Sequence, residues 1–311
     1  MSASIQGSAV IADGDLDVRV RDVIDAAAAK LRRRYSSDAE TLACDVVAAV
    51  LDVPRYWTHS PGSRQLARDD AVAVDAAVER LLEGMPMAYA VRRTAFRQLS
   101  LYVDERVLIP RSETEQLVDI VLTAASGGHG TVIDVGTGSG AIALSLATEG
   151  GFSRVLGSDI SADALDVAEL NARTVLSSRG GPGGRAGAAA FPVFAVGSFL
   201  APWRGERAGV VVSNPPYIAT SEAGELPRAV RDWEPAVALF AEHGGMAAIA
   251  AIAREAAPVL VPGGLLALEV DARRAGSAAG IVSAVGSYGA VSVRPDLSGR
   301  ARFVVARRVE N

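Results

Sequence analysis

The stretch Val132-Ile133-Asp134-Val135-Gly136-Thr137-Gly138-Ser139-Gly140-Ala141 decides the fold. Its first four residues read as the end of a buried strand. Three glycines then alternate with small hydroxylated residues, and a helical pattern, AIALSLATE, begins at once. Glycine accepts positive φ and lets a ligand come close to the backbone, so the reading is strand, tight turn, helix N-terminus. Downstream, short apolar runs and helical patterns keep alternating: RVLGSD, ADALDVAELNARTVL, FPVFAV and GVVVS. Such alternation predicts a parallel sheet with helices on both faces. Near the carboxyl end, LLALEV, a helical stretch, VSVRP and RFVVAR leave only DLSGRA between the last two strands, which should therefore pair antiparallel.

Upstream the pattern is helical from about residue 17 to 84. VRVRDVIDAAAAKLRRRY is followed by Ser37-Asp38-Ala39-Glu40, read as a capping box opening a second helix, and DDAVAVDAAVERLLEG should end at Gly84. From Thr94 to Leu108 short alternating stretches suggest a hairpin or an extended linker. The expected organisation is a helical domain over 1–93, a hairpin or linker over 94–111 and an α/β domain over 112–311. One interruption, the Gly-rich segment from Ser177 to Ala190, reads as a mobile surface loop.

Composition narrows the class of protein. Of 311 residues, 50% are hydrophobic and 22% charged, as in a soluble globular chain, and no apolar run reaches the roughly 18 residues of a membrane span. The first residues do not read as a secretory signal, so a cytoplasmic protein with no membrane partner is expected. Net charge is −5 with signs alternating along the chain, which argues against a nucleic-acid surface. The basic run Lys30 to Arg34 ends a helix, where cations offset the dipole, and is read as a solvated helix end. The single cysteine, Cys44, excludes an internal disulfide and is expected to be a small buried side chain. His59, His129 and His243 have no ligand-spaced partners, so no metal site is expected.

Two stretches carry chemistry. Asp159 ends the apolar run after the glycine turn, 19 residues beyond Gly140, where an acid can reach a ribose hydroxyl pair. A nucleoside ligand is favoured over an ordinary strand-to-helix turn. The glycines run G-T-G-S-G, not G-x-G-x-x-G, and follow Asp134, whose carboxylate repels pyrophosphate and would hold a cationic amino-acid end. That points to S-adenosyl-L-methionine. The second stretch, Val211-Val212-Ser213-Asn214-Pro215-Pro216-Tyr217-Ile218, stops a strand at two prolines that cannot donate to a ladder. The Asn214 side-chain oxygen and the Pro215 carbonyl are two acceptors for an NH₂ group, and the Tyr217 ring is a surface for a planar amide. Direct displacement on such a nitrogen needs alignment and charge stabilisation but no nucleophilic side chain. A purely structural Asn-Pro-Pro turn is the plain alternative.

With these residues in hand the chain resembles the class I S-adenosylmethionine-dependent methyltransferases, and among them the HemK/PrmC family, which methylates the glutamine of peptide chain release factors. DVGTGSGAIAL and VVSNPPYI carry the general resemblance; VLIPRSETEQLVD (Val107 to Asp119) and DWEPAVALFAEHGG (Asp232 to Gly245) carry the specific one. The resemblance implies a Rossmann-like α/β fold, with a mostly parallel seven-stranded sheet and a final antiparallel strand, preceded by a small helical domain. It implies methylation of the glutamine amide nitrogen in a Gly-Gly-Gln motif. Gly136, Thr137, Gly138, Ser139, Gly140, Asp159, Phe199 and Asn214 would bind the cofactor, with Phe199 against the adenine. Asn214, Pro215, Pro216 and Tyr217 would hold the glutamine, with Asn214, Pro215 and Tyr217 catalytic. The helical domain and hairpin would help form the groove for the release factor, and a monomer is expected.

Three positions depart from the family pattern: Ser112 stands where Pro is usual, Ser198 where an acid precedes Phe199, and a Gly-x-x-Gln segment is missing after Leu268-Glu269-Val270-Asp271. Losing the acid removes an acceptor for the adenine amino group, which should weaken cofactor binding without abolishing activity. The competing readings are a ribosomal-protein glutamine methyltransferase and a DNA or RNA adenine amino-methyltransferase, the latter disfavoured by the acidic balance. A nucleotide-binding module without catalysis leaves the NPPY loop unexplained.

Overall fold

Three helices build most of the described part of the first 91 residues, and each is held by one apolar face. In the computed structural model, which describes residues 18–59, 64–125, 130–178 and 190–310, helix α1 (Val20–Tyr35) buries Val20, Val23, Ile24, Ala27, Ala28 and Leu31. That three-and-four spacing faces α2 (Ala39–Leu51) and α3 (Arg68–Glu83), which contribute Val46, Val47, Val74 and Val78. Gly84 ends α3 at φ +100°, a left-handed cap that costs glycine little. The basic run does more than offset a dipole: Lys30 Nζ donates to Asp75 at 2.5 Å and Glu79 at 2.7 Å, tying α1 to α3.

Two local expectations fail here. The capping box does not form, because the N-cap of α2 is Asp38, with no side-chain cap bond. Ser37 donates instead to the Asp38 carboxylate, and Glu40 is drawn to Arg32 in the last turn of α1. Cys44 is partly exposed, not buried. The amino-terminal 17 residues, His129 and most of the Gly-rich Ser177–Ala190 segment lie outside the described residues.

By its contacts the chain divides into two compact units, Met1–Val91 and Arg92–Asn311. The second begins with an antiparallel hairpin, β1 (Thr94–Phe96) and β2 (Leu99–Leu101), and then helix α4 (Ser112–Ala124). Its sheet strands are β3 (Thr131–Val135), β4 (Arg154–Asp159), β5 (Val193–Val196), β6 (Ala208–Ser213), β7 (Leu260–Glu269), β8 (Tyr288–Pro295) and β9 (Ala301–Arg308). They lie in the order β8-β9-β7-β6-β3-β4-β5. Every pairing is parallel except those of β9 with β7 and β8, so the final strand is the antiparallel one.

Alternate residues of the central strands enter two separate cores. Val132, Val210, Val212, Leu265 and Ala267 pack on one face with α4 and α5 (Ala141–Glu149). Ile133, Val211, Leu266 and Leu268 pack on the other with α7 (Ala247–Val259) and α8 (Ala275–Ala284), while α6 (Ala162–Ser178) sends Ala172 and Val175 to the first. A strand covered on both faces has no polar side, which is why these runs are continuously apolar. Sheet order reverses at β3, so the carboxyl ends of β3 and β6 border the crevice where ligands bind in such sheets.

Candidate active site

The two stretches singled out in the sequence emerge side by side, because Val135 and Ser213 are register partners on adjacent strands. Ser213 fixes the junction by donating its hydroxyl to the Val135 carbonyl at 2.6 Å. A cavity of about 340 Å³ opens above the strand ends, lined among others by Gly136, Gly138, Asp159, Phe199, Asn214 and Pro216. A second, of about 170 Å³, is lined by Arg111, Asn214, Pro215, Tyr217 and Val230 among others. Asn214 borders both.

On the first cavity the backbone leaves room for a ligand. Gly136 and Gly138 have φ of +71° and +55°, and a Cβ at either would point into open space. Asp159 accepts from the Gly138 N–H at 2.9 Å and from the Ser161 N–H at 3.0 Å, and the Ile160 N–H bonds it as well, so its carboxylate still has acceptor capacity left over. Burial raises its pKa, and those backbone bonds oppose the shift. Phe199 adopts a left-handed φ of +48°, held by Ser158 donating to its carbonyl at 2.6 Å and by Leu200 N–H donating to Glu255. A non-glycine residue there costs about 1–3 kcal/mol, a strain of the kind found at ligand sites. Exposed Ile160 and Val237 add apolar walls that sequence reading missed. These features suit a nucleoside with a flat base.

Other predicted residues turn inward. Thr137 and Ser139 are buried and do not line the cavity: Thr137 donates to Asp134 at 2.7 Å, and the Ser139 carbonyl accepts from Asn171 at 2.9 Å. Gly140 sits at φ +81° under Ala168 and Leu144, a packing position at the start of α5. Asp134 departs from expectation too. Its carboxylate is fully buried, accepts from Thr137 and the Ala143 N–H, and leaves Oδ1 without a hydrogen-bond partner among the described residues. Burial pushes its pKa up to about 7; its bonds to Thr137 and Ala143 steady the turn, and it does not line the cavity.

Side chains from distant segments build the surroundings of Asn214 and the second cavity. The Asn214 amide donates through Nδ2 to Thr114 Oγ1 at 3.0 Å, and Thr114 donates to Glu269 Oε2 at 2.8 Å. Thr114 lies in the first turn of α4, and Glu269 ends β7 one residue past Leu268, the register partner of Ser213. Glu269 is buried, which raises its pKa to about 7. Burial likewise pushes Tyr217 up to about 12. Arg111 grips both oxygens of buried Glu234 at 2.7 Å, joining the IPRSETE and DWEPAVAL segments beside the cavity. Gly245, at φ +86°, presses so closely on the loop that a Cβ would overlap the Tyr217 carbonyl oxygen. Thr114, Glu269 and Gly245 escaped the sequence reading. The one signal available for Glu269 was a carboxylate closing an apolar run, as Asp159 does.

The departures acquire local explanations. Ser112 opens α4 at the first helical position, where Pro is preferred for its fixed φ but is not required, and its hydroxyl donates to Glu113. Ser198 lines the first cavity. After Val270, Asp271 caps a turn by accepting from Arg273, while Arg274 pairs with Glu222 at 2.5 Å and donates to the Gly244 carbonyl at 2.8 Å. Arg274 thus ties the Gly245 segment to the residues after the NPPY loop.

Residues 113–230 match the Methyltransferase small domain family, and residues 22–91 match the PrmC N-terminal domain family. A release factor glutamine methyltransferase of Xylella fastidiosa (strain Temecula1) is 36% identical over 90% of this chain and 96% of its own length. One from Deinococcus radiodurans is 33% identical over 94% and 99%, and one from Moorella thermoacetica 40% over 75% and 79%. The solved hMettl16 catalytic domain, in complex with the MAT2A 3'UTR hairpin 6, shares the fold at a TM-score of 0.52 and 14% identity, covering 79% of this chain and 84% of that one. Identity at this level along nearly the whole length of such relatives, added to the paired cavities at Asn214, places the chain in the release factor glutamine methyltransferase family.

Proposed function

We propose that this protein methylates the side-chain amide nitrogen of the glutamine in the Gly-Gly-Gln motif of peptide chain release factors, using S-adenosyl-L-methionine. The observation that carries the reading is Asn214, whose side chain borders both cavities and whose amide nitrogen is already engaged by Thr114. The amide oxygen is therefore the atom left for an acceptor.

When bound, S-adenosyl-L-methionine supplies an electrophilic methyl carbon on a sulfonium. Asp159 offers lone pairs to ribose hydroxyls, the open faces of Gly136 and Gly138 admit the ligand to the backbone, and Phe199 and Ile160 flank a base. An amide nitrogen is a poor nucleophile because its lone pair is delocalised. Asn214 Oδ1 and the Pro215 carbonyl can each accept a hydrogen bond from one of its hydrogens, holding the lone pair in line and favouring the positive charge that grows on nitrogen, which the methylated amide then loses by releasing one proton to solvent. The Tyr217 ring packs on the flat amide and helps exclude water. The helical unit Met1–Val91, with its match to the PrmC N-terminal domain family, is proposed to dock the release factor.

The test is a methyl-transfer assay with labelled cofactor and a panel of release factors, ribosomal proteins, DNA and RNA. Label on the Gly-Gly-Gln glutamine is expected. Label on nucleic acid or ribosomal protein, with release factors untouched, would sink the reading.

A further inference from the structure

The Asn214 amide has two ends that differ in chemistry, and only one of them can face a substrate NH₂ productively. We propose that Thr114 and Glu269 are positioning residues that hold the Asn214 oxygen toward the acceptor cavity and its nitrogen away from it. This rests on the reading of the chain as a glutamine amide methyltransferase.

Counting protons gives the reason. A threonine hydroxyl has one hydrogen. Thr114 gives it to Glu269 Oε2 at 2.8 Å, so toward Asn214 it can only accept, and it accepts from Nδ2 at 3.0 Å. An ionised Glu269 is acceptor-only and enforces this direction; a protonated one can donate to Thr114 and release the threonine proton toward Asn214. The amide would then turn its oxygen to Thr114 and its NH₂ to the acceptor, donor against donor. The Thr114–Glu269 end of the relay is buried, with Thr114 4% and Glu269 1% exposed, so solvent does not settle which way the threonine proton points; Asn214 itself is half-buried at the cavity rim.

The charge on Glu269 is set by groups from several elements. Arg302 of β9 and Arg111 ahead of α4 favour the ionised form, as does the Thr114 hydrogen bond, while Glu113 and burial oppose it. Tyr217, on the acceptor loop, feels the same carboxylate. With its pKa raised to about 7, Glu269 should lose its proton across the neutral range, and turnover should rise with pH through that interval.

The experiment uses the full chain, labelled cofactor and a release factor, with kcat measured between about pH 5.5 and 8.5. For the unmodified protein, kcat is expected to climb to a plateau above about pH 7.5, and Glu269→Gln to remove that acid limb. Thr114→Val should lower kcat roughly tenfold or more while cofactor affinity by calorimetry stays within about threefold, and Thr114→Ser should restore most of the loss. A flat kcat profile in the unmodified protein, an acid limb that survives in Glu269→Gln, or Thr114→Val turning over at the normal rate would each overturn the proposal. The profile of the unmodified protein needs no variant to fold. Failure of that protein to methylate a release factor at any pH would overturn the functional reading itself, a different result from a normal rate without the pH limb.

Discussion

The two cavities that meet at Asn214 are built by opposite means. The floor of the proposed cofactor side is local and made largely of backbone, with a glycine turn, the N–H groups of Gly138 and Ser161 on one carboxylate, and a helix start, while the side chains of Phe199 and Val237 supply its walls from farther along the chain. The acceptor side is made of side chains brought from far along the chain. Thr114 lies 100 residues from Asn214, Glu269 lies 155 from Thr114, and Arg111 lies 123 from Glu234. A backbone cradle accepts any ligand with the right outline and tolerates many side chains around it. A side-chain cradle fixes which atom of which group faces the substrate. Under the proposed function, the difference leaves general nucleoside binding to one half and acceptor choice to the other.

That contrast breaks if damage to one half appears in the other. The largest effect should come from Asn214→Ala, expected to lower kcat by about 10²–10³-fold, as loss of one charge-stabilising contact does, with cofactor affinity by calorimetry nearly unchanged. Comparable losses in both quantities would mean the cavities work as one. Next, Gly245→Ala places a Cβ at φ +86° and against the Tyr217 carbonyl. The left-handed backbone alone costs about 1–2 kcal/mol for a residue with a side chain. Displacement of the loop should lower kcat/KM for the release factor by about 10²-fold, read at a temperature where circular dichroism confirms folding. A variant with normal kinetics would remove Gly245 from the acceptor side.

The same contrast explains what could be read from the sequence. VIDVGTGSGA announces its turn because the residues that make it are adjacent, and the strand-turn-helix units, the hairpin at Thr94 to Leu101 and the antiparallel end follow from local periodicity. The place of Asp159 at the strand end beside the cavity is legible because strand, helix and strand impose a fixed reach. Motif spacing does not say which residues of the turn face inward: Thr137 and Ser139, both expected to bind the cofactor, are buried, Thr137 bonded to the fold through its hydroxyl and Ser139 through its carbonyl. Thr114, Glu269 and Gly245 were illegible because register between β6 and β7, and the return of residues 240–246 over the NPPY loop, exist only after folding. The Ser37 to Glu40 box failed for a related reason, since Arg32 competes for Glu40.

Two smaller effects sharpen the cofactor half. Asp159→Ala should weaken cofactor binding by roughly tenfold or more by calorimetry, as loss of a charged hydrogen-bond acceptor does, with the acceptor KM little changed. Equal affinity would move the ribose contact elsewhere. Asp134 gives the smallest effect. Its folded pKa, about 7, lies above the ordinary 3.8, so the folded state binds that proton more tightly than the unfolded chain. Stability contributed by Asp134 is then present below about pH 4 and declines as pH rises through about 7. Asp134→Asn should flatten the fall of Tm over that interval, measured by thermal scans; an unchanged slope would place the titration on other groups.

The bond from Ser213 to the Val135 carbonyl has a consequence for how such a site can change. It pins the bases of the two loops to facing positions on adjacent strands, so their separation there is a single interstrand step, about 4.8 Å, set by peptide geometry. The sheet acts as a ruler that no mutation in either loop can rescale. Everything beyond that rung is free to drift, while the spacing between the bases of the two loops stays constant.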